Sequence, residues 1–182
     1  MYPTQLGRFV DPENTVTHFH LREGDVVADF GAGSGAYLKP LSSAVGLSGI
    51  VYACEIQKNL VDALGTKAAE QRLNNIRPVW CDIEAPGGTK FNDGTLDAGL
   101  LSNILFQFVR KDTALTEVAR VLRKGGKLFV IDWTDSFGGL GPRPEDVFSE
   151  TDARSLLEQA GFSCEGTFSA GDHHYGLLCH KK

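Results

Sequence analysis

Short apolar runs, each ending in a polar residue and each followed by helical periodicity, recur along this chain. Val26 to Phe30, Ile50 to Cys54, Ile76 to Cys81, Leu96 to Leu101 and Lys127 to Asp132 read as buried parallel strands. Between them lie helical patterns. One starts at Ala36 and carries Tyr37, Leu38, Leu41, Ala44 and Val45, with Pro40 expected to kink it or stop it early. A second places Leu60, Val61, Leu64 and Ala68 on one face and runs to about Arg72; a third carries Leu115, Val118, Ala119 and Leu122 behind an expected cap at Asp112. Ser149-Glu150-Thr151-Asp152 opens another, which bears Leu156, Leu157 and Ala160 and closes at Gly161. Ahead of the first strand, Asp11-Pro12-Glu13 opens a short helix carrying Val16, Phe19 and Leu21. Two last strands, Ser163 to Ser169 and Tyr175 to His180, meet at the turn Ala170-Gly171-Asp172. Five strand–helix alternations before a terminal hairpin predict an α/β fold, a parallel sheet with helices on both faces. No repeat or linker divides it, so residues 1–182 are expected to form a single domain: a lead and helix over 1–23 and a core over 24–182.

Composition narrows the class. A chain of 182 residues, 42% hydrophobic and 23% charged, can bury a full core. No stretch approaches the roughly 18 apolar residues of a membrane span. The leading MYPTQLGRFVDPENT has no apolar core of signal-peptide type, and a cytoplasmic location is expected. A net charge of -5 argues against nucleic acid as a partner, and a monomer or homodimer is expected. Cys54, Cys81, Cys164 and Cys179 are far apart in apolar segments and are expected to be buried free thiols. No metal-ligand cluster is visible, and no metal is expected.

The chemistry collects at the strand ends. After the first strand the chain reads Asp29-Phe30-Gly31-Ala32-Gly33-Ser34-Gly35, three glycines at alternate positions ahead of a helix. Such a loop lets a ligand press on the backbone at a helix N-terminus. Glu55 ends the second strand, Asp82 the third, and Ser102-Asn103 the fourth, and ligands of open α/β sheets bind outside these ends. Glu55 falls 20 residues past Gly35, where an acid can grip both hydroxyls of a ribose. A nicotinamide dinucleotide fits less well. Its fingerprint spaces the last glycines by two residues, and an acid just before the loop repels a pyrophosphate while suiting a positively charged ligand. Asp82 has no standard task with a dinucleotide, but can meet an adenine amino group.

With these residues in place, the chain resembles the class I S-adenosylmethionine-dependent methyltransferases from about Gly24 to its end. Asp29 to Gly35 is similar to that family's D/E-x-G-x-G-x-G loop, Glu55 to its ribose-binding acid, and Cys81-Asp82-Ile83 to its adenine-side motif. Glu117 to Gly126 resembles its E-x-x-R-V-L-x-P-G-G element, with Lys124 in place of the proline. The resemblance implies a three-layer Rossmann-like sandwich with strand order 3-2-1-4-5-7-6 and strand 7 antiparallel. It implies S-adenosyl-L-methionine as cofactor. Gly31, Ala32, Gly33 and Gly35 would hold the methionine portion, with Asp29 toward its amino group. Glu55 would take the ribose, Ile56 would lie on the adenine, Asp82 and Ile83 would read the adenine edge, and Ser102 or Asn103 would line the methionine side.

The acceptor is less legible. No N-P-P-Y or D-P-P-Y follows the fourth strand, no cysteine sits where cytosine-C5 enzymes place their nucleophile, and no catechol-type metal set is present. The run Ser149 to Phe162 resembles a helix of quinone, arsenite and lipid-precursor methyltransferases, which implies a small-molecule acceptor. Trp133 and His20 are the candidate substrate residues, and the Gly- and Pro-rich loop from Asp135 to Pro144 a candidate lid. His173-His174 reads as a solvated turn. No catalytic base is assigned. Two alternatives remain open: an RNA or protein-side-chain methyltransferase, weakly suggested by Gly7-Arg8-Phe9-Val10, and a non-catalytic binder of the cofactor.

Overall fold

The computed structural model describes residues 10–137, 139 and 141–182, so Gly7-Arg8-Phe9, Gly138 and Leu140 lie outside the described residues. Among the described residues seven strands form one sheet: β1 (Val26–Phe30), β2 (Ile50–Glu55), β3 (Ile76–Trp80), β4 (Leu96–Ser102), β5 (Leu122–Trp133), β6 (Phe162–Ser169) and β7 (His174–Lys181). Their order is β3-β2-β1-β4-β5-β7-β6. β7 runs antiparallel to both β5 and β6, while β1 to β5 are parallel. This is the expected topology.

Alternation along the central strands separates two cores. Val27, Leu100, Phe129 and Ile131 face the side covered by α1 (Pro12–Thr17), α2 (Leu38–Val45) and α3 (Lys58–Glu70). Ala28, Phe30, Leu101, Leu128 and Val130 face the side covered by α4 (Lys111–Val121) and α5 (Glu150–Gln159). Because side chains point to opposite faces in turn, one run of apolar residues feeds both layers.

Local chemistry sets the helix ends. Asp11 caps α1, its carboxylate accepting the Asn14 N–H at 3.3 Å, and Ser149 caps α5 by accepting from Asp152. Helix α1 is shorter than expected. Phe19 lies beyond its end and stacks on Phe129 with ring centroids 3.9 Å apart, so packing on the sheet accounts for its apolarity. Pro40 neither kinks nor stops α2: the helix begins at Leu38, and Pro40 falls in its first turn, where a backbone N–H has no intrahelical partner to lose. Asp112 does not cap α4. The cap position is Arg110, and Asp112 sits one residue inside the helix, where it favours the positive end of the helix dipole.

Two further expectations are corrected. Strand β5 starts at Leu122 rather than at Lys127, with Lys124, Gly125 and Gly126 inside it and a register shift between the Leu96–Leu122 and Ala98–Lys127 pairs. Cys54 and Cys81 are buried free thiols, but Cys164 and Cys179 are register partners across β6 and β7 and form a disulfide. The pairing depends on antiparallel register, which sequence spacing does not reveal.

Candidate active site

At the end of β1 the chain must turn sharply away from a buried acid. Asp29 is 2% exposed, and Gly31, Gly33 and Gly35 all have positive φ, at 77°, 52° and 73°. The amides of Gly31 and Ala32 both donate to the Cys54 carbonyl at 2.9 Å, tying the loop to the end of β2. Glu55 completes that attachment. One carboxylate oxygen accepts from Gly33 N at 3.0 Å, and the other from Ile56 N at 2.8 Å and Gln57 N at 3.0 Å.

The glycines differ in what they permit. A Cβ on Gly31 would stand 2.0 Å from Ile104 Cδ1, so a side chain there would have to push the end of the Ile104 side chain aside. Gly33 is open to the site. Gly35 lines neither cavity described below: a Cβ there would strike Leu64 and Leu38 at 2.8 and 2.9 Å. The side chains that such a Cβ would meet belong to α2 and α3, so their packing constrains this position.

Two adjoining cavities open at the carboxyl ends of the strands, sharing Gly31, Gly33, Asn103 and Gln107 as walls. The larger, about 510 Å³, is lined on one side by Asp29, Ala32, Ser102 and Asn103 and on the other by Trp133, Gly141 and His174, with Tyr37 between. The smaller, about 210 Å³, is lined by Glu55, Ile56, Asp82, Ile83, Cys54 and Cys81. Every expected cofactor residue except Gly35 thus borders one of the two. Asp82 is held by accepting the Glu84 N–H at 2.9 Å.

Burial governs the electrostatics. Loss of water, with the nearby Glu55 carboxylate adding to it, raises the Asp29 pKa to about 7. Asp132 at the end of β5 is raised to about 6 by burial, against backbone hydrogen bonds that oppose the shift. Its oxygens accept from Leu105 N at 2.8 Å and Trp133 N at 2.9 Å, anchoring walls on both sides of the larger cavity. Asn103, at φ 56°, is fixed by its N–H to the Ile131 carbonyl at 2.8 Å.

On the acceptor side the sequence reading divides. Trp133 lies in the larger cavity as expected, packed between His174, at a centroid distance of 4.2 Å, and Gly141, where a Cβ would fall 2.6 Å from the indole. His20 does not: it is exposed in a separate depression with Glu13, Leu21 and Pro40, and its carbonyl accepts from Lys127 Nζ at 2.8 Å. The backbone at His20 is left-handed, with φ 47°. His18 stacks on Phe168 at 5.7 Å. Tyr37, Gln107 and His174 are cavity residues that the sequence did not indicate. His174 enters through its pairing with Trp133 across β5 and β7, a contact between distant segments. No group of three or more potential metal ligands occurs among the described residues, and none of their helices is long and apolar enough to cross a membrane.

Glu117 and Arg120, part of the motif quoted above, are structural. Glu117 accepts from Gly87 N, Thr89 N and Thr89 Oγ1 at 3.0, 3.1 and 2.6 Å and pairs with Arg120 at 2.8 Å, holding the segment after Asp82.

The chain is similar to known proteins. A methyltransferase-domain family matches residues 28–130. The ubiquinone/menaquinone biosynthesis C-methyltransferase UbiE of Hydrogenovibrio crunogenus is 30% identical over 71% of this chain and 50% of its own length. That of Chromobacterium violaceum is 31% identical over 70% and 51%. The chain therefore spans about half the length of the curated relatives it matches. Among solved structures, a SAM-dependent methyltransferase from Aquifex aeolicus superimposes with a TM-score of 0.87 at 29% identity, over 96% of this chain and 91% of that one.

Proposed function

The chain belongs to the methyltransferase-domain family of class I S-adenosylmethionine-dependent enzymes, and from that membership we propose that it transfers a methyl group from S-adenosylmethionine to a small-molecule acceptor. The observation that carries this reading is the pair of adjoining cavities: one bears the acids and edge groups suited to a nucleoside, the other an acid suited to an ammonium group beside room for a second molecule.

The site fits the cofactor on its own chemistry. Asp29, with a pKa near 7, gains most from a cationic ligand, because an ammonium group restores the stabilisation of the anion that burial removes. Glu55 keeps lone pairs beyond those engaged by Gly33, Ile56 and Gln57, and these suit ribose hydroxyls. Asp82 and Ile83 border the smaller cavity as adenine-edge groups, with Ile56 as an apolar face. Ser102 and Asn103 would flank the methionine chain. When bound, the cofactor supplies a methyl group on a cationic sulfur; the chain's residues align the acceptor and exclude water.

A small molecule is favoured over RNA by the net charge of -5 and by the cavity walls Trp133, Gly141 and His174. The UbiE relatives, ubiquinone/menaquinone biosynthesis C-methyltransferases, support the same class of acceptor. Titration calorimetry should show S-adenosylmethionine and S-adenosylhomocysteine binding at micromolar strength or tighter, and binding of NAD alone would overturn the reading. Transfer of labelled methyl into a small-metabolite extract is expected over transfer into bulk RNA or protein; no transfer to any of them would favour a non-catalytic binder.

A further inference from the structure

Four buried side-chain polar atoms among the described residues lack hydrogen-bond geometry to any protein partner, and three of their residues line the larger cavity. They are Asn103 Oδ1, His174 Nε2 and the hydroxyl of Tyr37. A buried polar atom with no partner costs free energy in the absence of a ligand, so three around one cavity indicate polar groups on whatever occupies it. Asn103 and Tyr37 adjoin the glycine loop. His174 stands apart from them.

The histidine's chemical state follows from its contacts. Nδ1 lies 3.0 Å from the Asp172 carbonyl oxygen, which only accepts, so Nδ1 carries the proton. The ring is buried, and burial pushes its pKa below the ordinary 6.5. The titratable groups that act on it are His173, which lowers it further, and Asp135, which opposes. At neutral pH the ring is therefore uncharged, and Nε2 presents a lone pair. Trp133 packs at 4.2 Å and fixes the ring's orientation.

Position decides which ligand that lone pair serves. β7 stands two strands from β4 in the sheet, and His174 lies two residues beyond the position level with Ser102. With strands about 4.8 Å apart and a rise of about 3.3 Å per residue, the start of β7 is roughly 12 Å from Ser102. That places it across the cavity from the acids that suit the methyl donor. We propose that His174 is the general base of the reaction, and that the acceptor is a neutral molecule bringing an O–H or N–H to its Nε2. This rests on the methyl-transfer reading above. The acceptor's proton passes to Nε2. The electron pair it leaves forms the bond to the methyl carbon as the carbon–sulfur bond breaks, and that pair stays on sulfur. The proton on Nε2 then leaves to solvent.

Nitrogen-15 NMR of histidine-labelled protein loaded with S-adenosylhomocysteine tests this directly, with phenol and anisole as probes of equal ring but different hydrogen-bonding power. We expect His174 as the Nδ1–H tautomer, titrating below 6.5, with an Nε2 shift on adding phenol that anisole does not produce. An Nε2–H tautomer, or the same response to both probes, would overturn the proposal. In the labelled-extract assay, His174→Ala and His174→Gln should lose about 10²- to 10⁴-fold in rate. Both should keep cofactor affinity within about threefold, and Gln should abolish the acidic limb of the pH profile. Unchanged transfer by a folded His174→Gln protein would equally defeat the assignment. Failure of S-adenosylhomocysteine to bind the wild-type protein would count against the methyl-transfer reading instead, and the tautomer would still be measured.

Discussion

Glu55 accepts the amide hydrogen of Gly33 across 3.0 Å, so the acid at the end of β2 holds the glycine loop as well as facing the smaller cavity. Its removal takes away a loop anchor and a ligand partner together. Glu55→Ala should weaken S-adenosylmethionine binding by about 1–3 kcal/mol, or roughly 5- to 150-fold, in calorimetric titration. Unaltered affinity would remove Glu55 from the binding residues.

Asp29 should oppose the folding of the ligand-free protein at neutral pH. Its pKa is about 7 when folded against 3.8 ordinarily, so the protonated acid is the form that folding favours. The associated stability is full below about pH 4 and lost as pH rises through 7, up to about 4 kcal/mol. Asp29→Asn should therefore unfold at higher urea than wild type at pH 8 and near the same urea at pH 4. The same substitution should nearly abolish cofactor binding. Wild-type affinity should rise with pH between 6 and 8, because the ammonium group needs the carboxylate.

Glu117 behaves in the opposite sense. Burial alone would raise its pKa, but the Arg120 guanidinium, the Thr89 hydroxyl and two backbone N–H groups hold it at about 2. Its contribution to stability is present above about pH 4.5 and lost as pH falls toward 2. Glu117→Gln is expected to cost about 1–3 kcal/mol in urea unfolding at pH 7, with the difference from wild type shrinking below pH 3.

Gly31 faces Ile104 with no space for a methyl group, and its φ of 77° is unfavourable for any other residue. Gly31→Ala should destabilise the protein by about 1–3 kcal/mol and displace the segment after β4. Adding Ile104→Ala should restore part of the loss, since it removes the clash and leaves the backbone cost. Full additivity in the double-mutant cycle would show that the two residues do not meet.

Much of this was legible in the sequence because it is local. A strand end, a glycine loop and a helix cap each declare themselves within a few residues, and so Asp29, Glu55, Asp82 and Asn103 were found. The packing of Gly35 against Leu38 and Leu64 was not legible, because a glycine beside a ligand and one beside two leucines look the same in a motif. His174 and the Cys164–Cys179 bond depend on how β7 registers against its neighbours, and no spacing encodes that. His20 is close to the glycine loop in the chain, but it borders a separate depression with Glu13, Leu21 and Pro40, which proximity in sequence does not show.

The reversed direction of β7 has a consequence for how such a protein can change. The parallel strands deliver their carboxyl ends to the cavities, whereas β7 delivers its first residue, straight out of the turn at 170–173. Turns on an edge hairpin tolerate insertion and substitution far better than the crossings of a parallel sheet. Changes in that turn can therefore shift His174, the hairpin residue on the larger cavity's wall, while the walls built on parallel strand ends stay in place.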